Sequence, residues 1–154
     1  MPPLRPTLEQ LARYSEAFNQ STTLGHFGMK VVFPDLETVE VVLDPVRPEQ
    51  RGGLGSDAVN GGVLAAMFDL VIGCAPALVD PTKRSATAQL SINFMSGVRG
   101  DRITARAKVT RAGAKLIFAA ASIFDGKGQE CASATGISRL STIPWASGGT
   151  PAIN

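Results

Sequence analysis

The chain has 154 residues, 44% of them hydrophobic and 18% charged, which is the size and composition of one globular domain. Its 15 basic and 13 acidic residues give a net charge of +2, without the strong basic excess typical of a nucleic-acid platform, so we predict no nucleic-acid partner. The first ten residues lack an apolar signal-peptide core, and Cys74 and Cys131 lie in apolar or small-residue stretches. We therefore predict a cytoplasmic protein with two buried free thiols.

The first predicted element is an amphipathic helix over residues 7–20, which is capped by Thr7 and followed by a glycine-containing link. Two strand-like runs at 27–33 and 37–43 flank a Pro-Asp turn and predict a hairpin. Residues 44–60 are rich in Pro, Gly, Arg and Asp and lack periodicity, so they predict a long loop. Loops of this length inside compact domains are more often functional than accidental.

Residues 61–79, GGVLAAMFDLVIGCAPALV, are long and apolar enough to be considered as a membrane span. However, Asp69 lies at the middle of the segment, where a charge costs about 2.5–3.5 kcal/mol on insertion scales. Pro76 argues in the same direction because proline breaks a continuous helix. We therefore predict a core helix that protein encloses on all sides, and no membrane partner.

Only strands are predicted after this helix. In the first run, polar residues alternate with apolar ones and are expected to share one face; they are Thr87, Gln89, Ser91 and Asn93. The third run is almost entirely apolar, as in a strand covered on both faces, and the fourth has small side chains that suit close backbone approach. A hairpin signal at 125–128 joins these two runs. The four runs cover residues 86–95, 102–110, 115–124 and 129–140, and residues 142–154 are predicted to be a tail.

This order of elements predicts an α+β fold in which antiparallel strands curl around one apolar helix. The only histidine is His26, in a glycine-flanked segment, which disfavours a Ser-His-Asp triad, a zinc site and histidine-based dehydratase chemistry. The glycine-rich run at 52–55 lacks the preceding strand of a dinucleotide-binding motif. We predict no metal and no cofactor.

Asp69 is the only ionisable residue in the apolar helix, where burial disfavours an unpaired charge. It is either a general base or nucleophile, or an acid that faces a solvent gap or pairs with a distant arginine. Asn60 and Gly61 begin the same helix, and free N–H groups at a helix start suit an oxyanion, although an ordinary capped start is an equal alternative. A ligand that reaches both Asn60 and Asp69 has to lie along the helix, since nine residues separate them.

Basic residues follow in the second of the four strands and the turn after it. A solvated basic stripe is the ordinary interpretation, and a site for the phosphates of an acyl carrier is the sharper one. These residues are Arg102, Arg106, Lys108, Arg111 and Lys115.

The stretch VNGGVLAAMFDLVIGCA and the strands that follow it resemble the hotdog-fold thioesterases of the phenylacetic-acid-degradation type. The similarity covers roughly residues 25–141, within a single hotdog domain predicted over residues 1–154. It implies an antiparallel sheet wrapped around a central helix. It also implies a homodimer or a dimer of dimers, with an acyl-CoA bound at the dimer interface.

The resemblance also implies roles for individual residues. Asp69 matches the acid that acts as base or nucleophile toward the thioester, Thr87 matches the hydroxyl that holds water, and the Gly61 N–H matches the donor to the thioester carbonyl. Contacts to the substrate or CoA are expected from Gly62 and Gln89, and contacts to the nucleotide end from Arg111 and Gly113.

The chain departs from the family at two positions. Asn60 stands where the family usually has His, and Leu54 stands where an Asn or Gln commonly contacts the carbonyl. The sequence therefore predicts hydrolysis of a small-to-medium or aryl acyl-CoA by Asp69, with Asn60 as a further donor. The alternative is a hotdog protein that binds acyl-CoA without hydrolysing it. A hydratase or dehydratase on the same fold is a weaker alternative, because it lacks a suitable base.

Overall fold

A computed structural model describes residues 5–145 of the chain. Three helices and six strands follow one another in an order that confirms the sequence prediction, with one addition. The segment predicted to be a link contains a short helix, α2, which is capped by Ser21 and ends at Gly28 with a φ of 69°. The elements are α1 (Leu8–Asn19), α2 (Thr22–Phe27), β1 (Met29–Val32), β2 (Val39–Leu43), α3 (Gly61–Cys74), β3 (Lys83–Phe94), β4 (Ile103–Ala112), β5 (Leu116–Phe124) and β6 (Glu130–Pro144).

The six strands form one antiparallel sheet in the order β1-β2-β4-β5-β6-β3. Both predicted hairpins are present: β1 pairs with β2, and β5 pairs with β6 across a turn in which Gly128 has a φ of 81°. The twelve-residue strand β3 lies at one edge, so one side of it has no strand partner within the described residues. Its backbone groups on that side are available for pairing.

Helix α3 packs against the inner face of the sheet, which is the face that forms the core. The helix begins at the Asn60 cap and gives way to a 3₁₀ turn, Ala75–Leu78, where Pro76 supplies no N–H. The prediction that protein encloses the helix on all sides is wrong for the single chain, because a strip containing Gly61, Gly62 and Asp69 is exposed. The buried side of the helix consists of Leu64, Met67, Phe68, Val71, Ile72 and Cys74.

By length and composition, Gly61–Leu78 would also suit a membrane span, and half of this segment is buried inside the chain. The buried half contacts β2 to β6, as expected for the core helix of a globular domain.

Small residues in β6 allow α3 to approach the sheet, as the sequence predicted. A side chain at Gly136 would lie 2.8 Å from the Ile72 Cγ2 atom and 2.8 Å from the Gln89 carbonyl oxygen. Strand β5 is covered less fully than expected: its inner residues are buried, but its outer residues, such as Phe118 and Phe124, are only half-buried.

Helix α1 and the end of β6 close one side of the core. Helix α1 begins with a capping box between Thr7 and Gln10, which confirms the prediction that Thr7 caps this helix. Tyr14 is buried on the inner side of α1 and makes an edge contact with Trp145, whose indole N–H donates to the Pro81 carbonyl oxygen. Residues 142–145 therefore continue the fold, contrary to the tail prediction, and residues 146–154 lie outside the described range.

Candidate active site

Asp69 lies on the exposed strip of α3, two turns after the helix start. No basic side chain within residues 5–145 forms an ion pair with it, so the alternative of an arginine partner is not observed there. The other alternative, a carboxylate that faces solvent, is what the single chain has. An exposed acid at the centre of an otherwise apolar helix is accessible to a ligand or to a second protein chain.

Thr87 is the polar residue that the structure brings to Asp69. Its hydroxyl Oγ1 donates to the Asp69 carbonyl oxygen at 3.3 Å, across the contact between β3 and α3. A β-bulge between Thr87 and Gln89 makes this contact possible, because it inserts Ala88 into the strand without a partner. Thr87 therefore turns inward toward the helix.

The same bulge corrects the prediction that four polar residues of β3 share one face. Beyond the bulge, Leu90 packs on the core, and Gln89 is exposed on the outer face of the sheet. The structure therefore brings Thr87 and Asp69 together but does not bring Gln89 to them. Ser91 and Asn93 follow Gln89 on the outer face.

The start of α3 offers one backbone donor. The Asn60 side-chain oxygen accepts a hydrogen bond from the Gly62 N–H at 2.8 Å, which confirms the predicted cap. The N–H of Gly62 is therefore already engaged, whereas that of Gly61 takes part in no hydrogen bond within residues 5–145. The free donor at the positive end of the helix dipole is thus Gly61, the residue to which the family resemblance assigned the donor.

One exposed apolar side chain stands beside this helix start, and a second follows it in the chain. Phe94 is 56% exposed, and a β-carbon at Gly61 would lie 3.6 Å from its Cζ atom. Met95 is 55% exposed and follows it directly. Two apolar residues of α3, Met67 and Phe68, are by contrast fully buried in the core, and Phe18 of α1 stacks on Tyr14.

Leu54 lies at the tip of a loop that precedes the helix. An antiparallel bridge between Arg51 and Val59 closes this loop, and Leu54 is fully exposed with a φ of 59°. Left-handed backbone is unfavourable for leucine. An aliphatic side chain cannot donate to a carbonyl, so the position offers no replacement for the amide expected there.

The donor and the acid are far apart on one helix. Gly61 and Asp69 are eight residues apart, which is about 12 Å along the axis and about 80° around it at 1.5 Å and 3.6 residues per turn. The hydrogen bond from a donor to the carbonyl oxygen and the approach of water to the carbonyl carbon each span about 3 Å. These two directions do not lie on one line, so their lengths do not simply add. One thioester therefore does not reach both groups of the same chain readily.

Only part of the predicted basic stripe is available to bind a phosphate. Arg102 pairs with Asp44 at 2.9 Å, and Arg106 pairs with Glu40 at 2.8 Å, so these guanidinium groups are matched by carboxylates. Arg111 lies on the outer face over the Phe118 ring and forms no ion pair within residues 5–145. The following turn is closed by a hydrogen bond from the Gly113 N–H to the Leu116 carbonyl oxygen.

No group of three or more potential metal ligands occurs within residues 5–145. His26 is exposed on α2. Both cysteines are free and buried, as predicted, and burial raises the pKa of the Cys74 thiol to about 12. Burial also raises the pKa of the neighbouring Tyr14 hydroxyl. Cys74 is therefore held as a neutral thiol, unlike a cysteine nucleophile.

Part of the chain, including the candidate site, is similar in sequence to known proteins. Residues 57–132, which include the start of α3, Asp69 and Thr87, match the family model of the thioesterase superfamily. A protein from Saccharolobus solfataricus whose name assigns it as an esterase is 31% identical over 78 residues. That match covers 51% of this chain and 52% of the relative, so it spans about half the length of the relative.

Solved structures share the fold at lower identity. A thioesterase-superfamily protein from Shewanella oneidensis has a TM-score of 0.77 at 23% identity and covers 86% of this chain and 96% of its own. A thioesterase from Haemophilus influenzae has a TM-score of 0.74 at 18% identity, with 90% and 93% covered. The E. coli PaaI protein from the phenylacetic acid degradation operon has a TM-score of 0.76 at 18% identity, with 90% and 99% covered.

The curled six-stranded antiparallel sheet packed on one long helix is therefore a hotdog fold, as the sequence resemblance predicted, and these solved structures share it.

Proposed function

We propose that the chain hydrolyses acyl-CoA thioesters to the free acid and CoA, as a superfamily member of the phenylacetic-acid-degradation type. One observation carries the proposal: the Asp69 side chain is exposed, and the inward-turned Thr87 hydroxyl contacts the backbone carbonyl oxygen of the same residue at 3.3 Å. Both residues fall in the segment that matches the thioesterase-superfamily model. These two groups can bind and activate water, which is what thioester hydrolysis requires.

The hydrogen bonding of Thr87 supports this role. Its hydroxyl gives its hydrogen to the Asp69 carbonyl oxygen, so its lone pairs remain free to accept. A carboxylate likewise accepts hydrogen bonds only. A water molecule between the Thr87 hydroxyl and the Asp69 carboxylate would donate one hydrogen to each and direct a lone pair toward the substrate.

In the proposed reaction the water oxygen bonds to the thioester carbonyl carbon as Asp69 takes one water proton. The carbonyl electron pair moves to oxygen, where the Gly61 N–H stabilises the negative charge. The tetrahedral intermediate then collapses, the carbon–sulfur bond breaks, and the proton held by Asp69 passes to the departing CoA sulfur. In the nucleophilic version Asp69 attacks directly and water hydrolyses the resulting anhydride.

We further propose that two copies of the chain build each site. Gly61 and Asp69 of one chain lie about 12 Å apart along α3, more than one thioester readily spans. Strand β3 is an exposed edge, with Thr87 toward its start and Phe94, beside Gly61, at its end. A two-fold axis that pairs two β3 strands antiparallel would bring the Asp69 end of one chain to the Gly61 end of the other.

The proposed substrate is a small-to-medium or aryl acyl-CoA, with no cofactor besides the CoA of the substrate. Phe94 would contact the acyl group near Gly61 because it is exposed there, and Met95, which follows it in the chain, is also exposed. Arg111 would contact a phosphate at the nucleotide end, since it has no acidic partner within residues 5–145.

The test is release of free CoA thiol from acetyl-, medium-chain, phenylacetyl- and benzoyl-CoA. Asp69→Asn removes the base without changing the side-chain size, so kcat is expected to fall by about 10² or more. Glu16→Gln removes the same charge from an exposed position on α1 and is expected to leave turnover unchanged. An Asp69→Asn protein with near wild-type turnover would refute the mechanism.

A second candidate is a hotdog protein that binds acyl-CoA without hydrolysing it. The helix start favours it, because Asn60 stands where the family usually has His and Leu54 offers no donor. Titration calorimetry with the same CoA esters distinguishes the two candidates. Binding without thiol release would establish the binder, and release that Asp69→Asn abolishes would exclude it.

A further inference from the structure

Gly73 lies one turn after Asp69, close to the point where α3 meets β3. Its backbone is helical and not left-handed, so its conformation does not require glycine. Glycine inside a helix is less favourable than alanine, because it loses more conformational freedom on folding. The reason for a glycine at this position must therefore lie in its surroundings.

Those surroundings are two hydroxyl groups of β3. A β-carbon at Gly73 would lie 3.0 Å from the Thr87 Oγ1 atom, which is closer than ordinary van der Waals contact. The Ser85 hydroxyl donates to the Gly73 carbonyl oxygen at 2.7 Å and anchors the strand to the same turn. The Thr87 hydroxyl thus occupies the space that an alanine methyl group would need.

The strand cannot readily move away to make that room. Ser138 of β6 is the Cα partner of Thr87, and its buried hydroxyl donates to the Ile72 carbonyl oxygen at 3.0 Å. A second glycine, Gly136, lets β6 approach the Gln89 carbonyl oxygen at the bulge. A methyl group at Gly73 would therefore displace the Thr87 hydroxyl more easily than the backbone of β3.

We propose that Gly73 is a positioning residue, whose missing side chain holds the Thr87 hydroxyl beside Asp69. The inference rests on the proposed hydrolysis and adds a residue that touches neither substrate nor water. Asp69 and Gly73 are four residues apart and therefore lie on the same helical face. The helix thus supplies the carboxylate at one position and the space for its companion hydroxyl at the next turn.

The test is a double-mutant cycle of Gly73→Ala and Thr87→Ala, measured by thiol release with the best substrate of the panel. Misplacing a group that orients the nucleophile lowers kcat, so Gly73→Ala is expected to lose about ten- to hundredfold with KM within about twofold. In the Thr87→Ala background, Gly73→Ala is expected to cause no further loss. The melting temperature of Gly73→Ala is expected to equal or exceed that of the wild type, because alanine favours the helix.

Gly25→Ala is the matched control. Gly25 also lies in a helix, α2, and a β-carbon there would meet no atom within 4 Å. This variant is expected to keep wild-type kcat. Thr87 methyl NMR provides a readout that is independent of turnover: its resonance is expected to shift in Gly73→Ala and to stay in place in Gly25→Ala.

Three outcomes would overturn the inference: wild-type kcat in Gly73→Ala, an unchanged Thr87 resonance, or an equal additional loss in the Thr87→Ala background. If Gly73→Ala alone fails to fold, the double variant decides. Recovered folding locates the clash at Thr87, and continued unfolding locates it elsewhere and refutes the proposal. Absence of thiol release from the wild type refutes the proposed function itself, whereas an active wild type with an equally active Gly73→Ala refutes only the positioning role.

Discussion

The proposed two-chain site leads to a quantitative prediction about mixed dimers. Gly61→Pro removes the proposed carbonyl donor, because proline has no backbone N–H. The substitution suits the fold, since Gly61 is the first helical residue and Asn60 has an extended ψ of 138°. Loss of one oxyanion donor is expected to lower kcat by about 10²–10³. Asp69→Asn is the second parent and is expected to be similarly inactive.

A mixed dimer of the two parents should regain one intact site. That site takes Gly61 from the Asp69→Asn chain and Asp69 from the Gly61→Pro chain, and the other site has neither group. Random exchange at equal amounts makes half of the dimers mixed, so activity should return to about a quarter of wild type for a two-fold dimer. Chains that carry two different affinity tags allow the mixed dimer to be purified, and it should have half of the wild-type kcat per dimer.

The reciprocal mixture is the control. A chain with both substitutions, mixed at equal amounts with wild type, should retain about a quarter of the activity if two chains build each site, and about half if one chain does. The reasoning is refuted if the mixture of single variants shows only the residual activity of its parents, because Gly61 and Asp69 would then act from the same chain.

Three further predictions address specificity and stability. Phe94→Ala should widen the space beside Gly61 and raise kcat/KM for phenylacetyl-CoA relative to acetyl-CoA by about tenfold, measured across the same panel; an unchanged ratio would place the acyl group elsewhere. Asn60→Ala should lower the free energy of unfolding in urea by about 0.5–2 kcal/mol through loss of the cap, whereas Asn60→Ser should retain most of it. Burial raises the pKa of Cys74 from 9.0 to about 12, so its contribution to stability is complete below pH 9 and is lost as the pH rises toward 12. Relative to Cys74→Ala, wild-type stability should fall by about 1.4 kcal/mol per pH unit in that window, and parallel pH profiles would contradict this.

Much of the fold could be predicted because its signals act over a few residues. Asn60 caps the start of the long helix, and Pro76, which has no N–H, marks its end. Gly128 supplies the left-handed residue that closes the β5–β6 hairpin. Alternating and apolar runs specified the strands for the same reason. Of the candidate site, residue types alone pointed to Asp69 as the lone acid of an apolar helix, and the family resemblance pointed to Gly61 as the backbone donor.

The short helix α2 was missed because contacts from a distant loop support it. The Gln50 side chain donates to the carbonyl oxygen of Phe27, the last residue of α2, across 23 positions of sequence. The role of Trp145 was missed for a similar reason, since its partners Tyr14 and Pro81 come from two other parts of the chain.

The sequence by itself therefore determined the long helices and the strands, the cap, the buried thiols and the acid, because each depends on residue type and local spacing. Only the tertiary structure decided which way the polar residues of β3 face. One unpaired residue, Ala88, reverses the alternation, and the bulge is accommodated by Gly136 on the neighbouring strand. It likewise decided that Asp69 is exposed, because exposure depends on what packs against a helix and not on the helix's own composition.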